Sequence, residues 1–190
     1  MDEMPSGDAV PRPPTSLDWA EAAAKAGLDG AAFLPAAEIQ VAEWVPLKCR
    51  YGCPDYGRRL GCAPYAPTPE TLRAVLHDYN AALLLWIEAD AAHDDDAEVR
   101  ARLHRALLEL ERAAFLAGCH KAFALTDGPC TWCEEPCPED GRCRRPEWLR
   151  PALPACGVDV FATAAAAGLT LSVVGAGETR YKHVGMLLIE

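Results

Sequence analysis

The chain has 190 residues, a formal net charge of -10 and a hydrophobic content of 51%. We expect one domain over residues 17–190, behind an acidic, proline-rich leader at 1–16 that we expect to be disordered. The acidic balance argues against nucleic-acid binding. The longest aliphatic stretch, 81–87, is far short of the roughly 20 residues that cross a bilayer. The leader does not resemble a secretory signal, which predicts a cytoplasmic protein without a membrane partner.

The first half of the chain alternates predicted helices and strands. Ser16 is placed to cap a helix that ends at Gly27. The segment EIQVAEWV, 38–45, alternates weakly and predicts a strand leading into the first cysteine loop. Thr68, Pro69 and Glu70 predict a helix start, and the apolar run that follows predicts a buried strand.

The second half repeats this alternation. Apolar residues spaced three and four apart between Val99 and Ala114 predict a long helix that ends at Gly118. KAFALT, 121–126, predicts a strand that delivers the chain into a dense cysteine loop. We expect helices from Pro146 and from Asp159, followed by two closing strands. These strands are predicted at LTLSVVG, 169–175, and VGMLLIE, 184–190.

This order of elements predicts an α/β fold. The expected architecture is a small single-domain sandwich, with a mixed sheet, helices on one face and two cysteine-rich metal loops. No internal repeat or dividing linker is visible in the sequence.

Seven of the nine cysteines form two groups. The first is Cys49-x3-Cys53-x8-Cys62, and the second is Cys130-x2-Cys133-x3-Cys137-x5-Cys143. An odd number of cysteines in a chain expected to be cytoplasmic argues against a disulfide framework and favours metal ligation. All seven are candidate metal ligands.

The spacing favours an iron–sulfur cluster over zinc. Structural zinc usually takes two short cysteine pairs with a longer spacer between them, whereas cubane clusters are commonly wrapped by densely spaced cysteines with a following proline. Cys53-Pro54 and Cys137-Pro138 repeat that cysteine-proline element. We therefore expect one or two clusters of the 4Fe-4S type, with zinc as the alternative.

The first group has only three cysteines, which leaves its coordination open. Cys119 or Cys156 would complete the group, or one iron would stay open to a substrate or another external ligand. A free cysteine is usually a small buried apolar residue, and this interpretation is favoured for both.

Other polar residues have ordinary interpretations. We expect His104 on the polar side of the long helix and His183 in a surface loop, both solvated. Acids at a helix start offset the helix dipole, so Asp94, Asp95 and Asp96 are interpreted as capping residues. Eight of the Lys and Arg residues lie in or next to the two cysteine groups. They are interpreted either as solvated charges of the loops or as cations that stabilise thiolates.

Three long motifs resemble a known family. They are CRYGCPDYGRRLGCAPYAPTPE from Cys49, the segment from GPCTWCEEPC to ATAAAAG over 128–168, and the closing GMLLIE. Together they resemble the cysteine-rich predicted metal-binding proteins called domain of unknown function 2284, over roughly Ala37 to Glu190. The resemblance implies metal binding, with iron–sulfur favoured, at the same seven cysteines. Ala152 and Pro154 replace a serine and a glutamate common in that family.

The sequence therefore predicts a metal-binding protein rather than a particular reaction. The leading hypothesis is cluster-based electron transfer to a redox or metabolic protein partner, or chemistry at an open iron. The alternative is a zinc-stabilised protein-interaction module without redox activity. Neither a catalytic residue nor enzyme activity can be assigned from the sequence.

Overall fold

The structure is a computed structural model that describes residues 17–175 and 178–190. The leader at 1–16, and with it the expected cap Ser16, lies outside the described residues. The first helix begins after Asp18, whose side chain accepts hydrogen bonds from the amides of Ala20 and Glu21. None of the helices within the described residues combines the length and the apolar character that crossing a membrane requires.

The described residues form five α-helices and four strands in the chain order α1, β1, α2, α3, β2, α4, β3, α5 and β4. The helices are α1 Trp19–Lys25, α2 Val45–Gly52, α3 Pro69–Leu76, α4 Asp96–Leu116 and α5 Val160–Ala166. The strands are β1 Gly30–Pro35, β2 Ala81–Asp90, β3 Phe123–Leu125 and β4 Arg180–Ile189. Short 3-10 turns occupy Ala36–Glu38, Pro146–Trp148 and Pro154–Cys156.

The α/β prediction is confirmed, but the sheet is antiparallel rather than mixed. Its strand order is β1-β2-β4-β3, and each neighbouring pair is antiparallel. The expectation of a mixed sheet came from the alternation of helices and strands, which is typical of parallel crossovers. Here β3 enters beside the last strand and runs against it. A parallel bridge between Thr126 and Ala152 lies outside the strands.

Helices cover both faces of the sheet, so the prediction that they lie on one face is wrong. Leu83 and Leu85 of β2 pack with α1 and α4 in one core. Ala82 and Leu84 pack on the opposite face in a second core, together with residues of α3 and α5. Successive side chains of a strand point to opposite faces, so the continuous apolar sequence of β2 serves two cores.

Local sequence signals succeed where capping chemistry is present. Thr68 caps α3, Asp95 caps α4 and Asp159 caps α5, each through its side-chain oxygen. The strand predicted at 38–45 is wrong, because between the 3-10 turn that ends at Glu38 and the start of α2 at Val45 the chain forms one isolated bridge, from Val41 to Val158. The helix predicted from Pro146 is reduced to two 3-10 turns, and 169–175 form no strand.

Candidate metal centre

The first cysteine group begins inside a helix rather than in a loop. Cys49 lies in α2, and Cys53 follows directly after the helix, donating its amide hydrogen bond to the Cys49 carbonyl at 3.2 Å. Pro46 is tolerated because the first helical amides have no partner within a helix. Cys62 lies in the turns that follow. The three thiols therefore range from exposed at Cys53 to buried at Cys62.

Burial keeps two of these thiols protonated in the absence of metal. It raises the pKa of Cys62 to about 12, with a further contribution from the charge of Asp55. Burial also raises the pKa of Cys49, and the charge of Cys53 adds to the effect. Thiolates are the metal-binding form, so a metal must displace these protons. Metal uptake at this group therefore releases protons and is favoured as pH rises.

The second cysteine group lies on an irregular loop, 127–150, that leaves the end of β3 and that we call the second metal loop. Its four cysteines are all half-buried. Gly141 has a φ of 73°, which a glycine adopts without strain. Arg144 donates to the Pro136 carbonyl at 2.8 Å, and the amide of Arg145 donates to Cys143 Sγ at 3.4 Å. Hydrogen bonds to sulfur of this kind tune metal–thiolate centres.

The segments that carry the two cysteine groups contact each other. The amide of Ala152, just after the second metal loop, donates to the Gly61 carbonyl at 2.9 Å. Arg59 reaches the Cys133 carbonyl at 3.5 Å. The charge of Cys130 is also among those that raise the pKa of Cys62, after burial. Cys130 thus lies close enough to the first group to affect it electrostatically.

Several basic residues near the cysteines contact aromatic rings. Lys48 lies 4.9 Å from the centre of the Trp44 ring, and Arg145 lies 4.5 Å from that of Trp148. The Trp148 ring packs 5.1 Å from that of Trp132, inside the second metal loop. These contacts hold cations beside both cysteine groups.

Cys119 and Cys156 lie in the two apolar cores, and Cys49 of the first group packs against the core that contains Cys156. Cys119 packs in the core between the sheet and α4, and Cys156 packs in the core on the opposite face. Burial raises the pKa of both thiols, that of Cys156 to about 12. Their surroundings agree with the interpretation that each is a small buried apolar residue.

Over residues 17–175 and 178–190, no three His, Cys, Asp or Glu side chains are gathered tightly enough to hold one metal ion. The seven cysteines are thus brought into two neighbouring groups without being closed around a single point. Their chemistry still fits a metal–thiolate centre, since they combine half-buried sulfurs, an amide donor to sulfur and nearby cations.

Comparison with family models identifies the chain. The model for the predicted metal-binding protein family DUF2284 matches residues 32–189. The chain belongs to this family. The match spans both cysteine groups and the whole sheet apart from Gly30 and Ala31, the first two residues of β1. Comparisons with curated proteins and with solved structures give no match. Family membership thus establishes this chain as a predicted metal-binding protein.

Sequence reasoning missed a buried polar cluster beside the second metal loop. His104 and His183 were both expected to be solvated, but only 1% and 6% of their surfaces are exposed. Both hydrogen-bond to Asp127, at 2.8 and 2.5 Å. A signal was present in the sequence, because Asp96, Arg100 and His104 are spaced four apart and so share one face of α4. The pairing of that face with β4 was not predictable from spacing.

Proposed function

We propose that this DUF2284 protein binds iron–sulfur clusters through the seven cysteines of its two groups. The observation that carries the proposal is that the two cysteine groups come from distant parts of the chain and are brought together. Their segments meet at the hydrogen bond from the Ala152 amide to the Gly61 carbonyl. The dense spacing of the second group and the two cysteine-proline elements favour one or two 4Fe-4S clusters over zinc.

The four cysteines of the second metal loop would hold one cluster, and Cys49, Cys53 and Cys62 would hold part of a second. A bound cluster supplies one-electron chemistry, and an iron without a cysteine ligand supplies a site for an external ligand. The chain contributes the sulfurs, the amide donor to Cys143 and the burial that limits water around Cys62. We therefore propose electron transfer or chemistry at an open iron.

The proposed partner is a redox or metabolic protein. The net charge of -10 argues against nucleic acid. Cys53 is exposed, and 78% of the surface of Tyr51 in the same segment is exposed, so the Cys53 end of the first cysteine group reaches the molecular surface. Electron exchange with a docked protein would take place from this side.

The alternative is a zinc-stabilised interaction module. In that case the metal contributes folding energy and the protein is colourless and redox-silent. The second metal loop suits this purpose, because the backbone hydrogen bonds within it are those of short turns, such as the bond from the Gly141 amide to the Pro138 carbonyl.

Metal and acid-labile sulfide analysis distinguishes the two functions. The protein is purified without oxygen, and its visible absorption is recorded with its iron, zinc and sulfide content. We expect a brown protein with iron and sulfide in equal amounts, about four of each per cluster. Zinc without sulfide in a colourless protein would contradict the proposal and establish the structural alternative.

A further inference from the structure

The second metal loop is closed at its base by the backbone. The amide of Thr126 donates to the Pro151 carbonyl at 2.9 Å, and the amide of Leu153 donates to the Thr126 carbonyl at 2.7 Å. Thr126 and Leu153 are buried. The loop therefore begins and ends at one fixed place, with both of its ends next to α4.

Asp127 is the first residue of the loop, and its carboxylate is held by two histidines. Oδ1 accepts from Nε2 of His104 on α4 at 2.8 Å, and Oδ2 accepts from Nδ1 of His183 on β4 at 2.5 Å. Burial by itself raises the pKa of Asp127, but the hydrogen bonds from the two histidines outweigh burial and lower that pKa. The carboxylate is therefore ionised and fixed to a helix and a strand at once.

The same cluster reaches further into the loop. Nδ1 of His104 lies 3.3 Å from the hydroxyl of Thr131, the residue that stands between Cys130 and Trp132 in the sequence. A ring that donates through Nε2–H to Asp127 can accept from the Thr131 hydroxyl at Nδ1. The Arg100 side chain lies close to Gly128. A Cβ atom added to Gly128 would be 3.1 Å from Nε of Arg100. The backbone on both sides of Cys130 is thus held against α4.

The far end of the loop is held by the same helix. Arg150 forms a two-point ion pair with Glu111 of α4, in which its Nε donates to Oε2 at 2.7 Å. That oxygen also accepts from the amide of Ala124 in β3 at 2.7 Å. Both charged side chains are largely buried. Bidentate charge-assisted pairs of this kind fix geometry as well as adding energy.

Placing these charges beside apolar cores costs desolvation energy, which apolar residues would avoid. In return, the hydrogen bonds of the network favour one conformation, while Nε of Arg100 and Nε2 of His183 are buried without a hydrogen-bond partner in the described part of the chain. The hydrogen bonds and ion pairs of this network meet the second metal loop at its two ends. Mutation of residues that orient metal ligands through hydrogen bonds commonly changes the affinity for metal by 10- to 100-fold.

We propose that the Thr131–His104–Asp127–His183 chain and the Arg150–Glu111 pair are positioning residues that fix the second metal loop on α4. The inference rests on the proposed function, because it requires that the cysteines of the second metal loop bind metal. With both loop ends fixed, the cysteines close on the metal at a smaller cost in chain entropy, and the metal is retained longer.

The test compares variants that change only the outer contacts. Thr131→Val removes the hydroxyl at nearly constant shape, and Thr131→Ser restores it. Glu111→Gln removes the charge that holds Arg150, and Glu109→Gln makes the same change at an exposed position of α4. The first measurement is the rate of metal loss from the loaded protein to excess chelator. The second is amide hydrogen exchange of 128–149 in the metal-free protein.

We expect Thr131→Val and Glu111→Gln to lose metal roughly 10- to 100-fold faster than the wild type. Thr131→Ser and Glu109→Gln should stay within about twofold. Exchange in 128–149 should rise in the first two variants, while exchange in the middle of α4 stays unchanged.

Wild-type rates of metal loss and exchange in Thr131→Val and Glu111→Gln would overturn the inference. Equal loosening of α4 and β4 would also overturn it, because it would show a general role in stability. A wild-type protein that binds no metal, together with faster loop exchange in Thr131→Val, would contradict the proposed function but support the fixed loop.

Discussion

At the scale of single residues, the Asp127 side chain is held by contacts from both α4 and β4. It accepts hydrogen bonds from two buried histidines, and Nε of Arg100 lies 3.4 Å from its Oδ2. Nε2 of His183 lies a further 3.1 Å from Asp96, so this ring is between two carboxylates. Nε2 itself has no hydrogen-bond partner among residues 17–175 and 178–190, so the Asp96 carboxylate acts on this ring through its charge. The cluster therefore depends on charge as well as on shape.

Asp127→Asn tests this dependence through pH. The pKa of Asp127 is lower in the folded state than the value of about 3.9 that an Asp side chain has in an unfolded chain. Ionised Asp127 therefore stabilises the fold at pH values above about 3.9. The stabilisation is lost as pH falls towards the folded-state pKa. We expect the substitution to lower the free energy of unfolding by about 3 to 5 kcal/mol at pH 7, measured by urea unfolding of metal-free protein.

The difference between wild type and Asp127→Asn should shrink as pH falls below about 3.9. His120→Gln is the control, because His120 is 74% exposed and pairs with Glu190 at the surface. A difference in stability that stays constant from pH 7 to pH 3 would show that Asp127 acts through shape alone.

Residue types with strong local chemistry were predictable from the sequence. The two cysteine groups were identified by spacing, and Asp95 and Asp159 by their places before helices. The burial of His104 and His183 was not predicted, because the spacing of His104 with Asp96 and Arg100 does not reveal which element packs on that face of α4. Their environment is set by a carboxylate 23 residues from one and 56 residues from the other along the chain.

At the scale of elements, the packing of α4 on β4 decides where the polar cluster lies. Gly185 allows the close approach, since a Cβ at this position would lie 2.4 Å from Cδ1 of Leu107. The same approach brings His104 and His183 to the two sides of Asp127. A glycine in the interior of a strand often marks such a contact between elements.

Gly185→Ala should therefore destabilise the protein by overpacking, by about 1 to 3 kcal/mol in urea unfolding. Gly52→Ala is the matched control, because a Cβ there meets nothing within 4 Å and Gly52 lies at the end of α2. If Gly185→Ala proved as stable as Gly52→Ala, α4 would not be held tightly against β4.

Elements with a strong pattern were predicted, and those decided by pairing were not. The β2 run and the α4 stripe were visible because each is long and regular. The GAAFLP sequence of β1 has little intrinsic preference for a strand, and it is a strand because it pairs with β2 from Gly30–Trp86 to Pro35–Ala81. At 169–175, a segment with β-branched residues pairs with no strand in the described part of the chain, and Gly175 forms an isolated bridge with Glu178.

At the scale of the whole molecule, the fold brings two distant cysteine groups together beside one sheet. The first group begins in α2, and the second follows the end of β3. Their segments meet at the hydrogen bond from the Ala152 amide to the Gly61 carbonyl. Spacing identified each group, but their proximity depends on hydrogen bonds between segments about 90 residues apart, which no local rule supplies. The central claim is that these seven cysteines, and not the two in the cores, hold the metal.

The most direct test is the metal content per chain of three proteins purified without oxygen: the wild type, a variant with all seven group cysteines changed to serine, and Cys119→Ala/Cys156→Ala. Circular dichroism checks that each is folded. We predict no bound metal in the seven-serine variant and the wild-type amount in the double alanine variant. Metal retained by the folded seven-serine variant, or lost from the folded double variant, would contradict the claim.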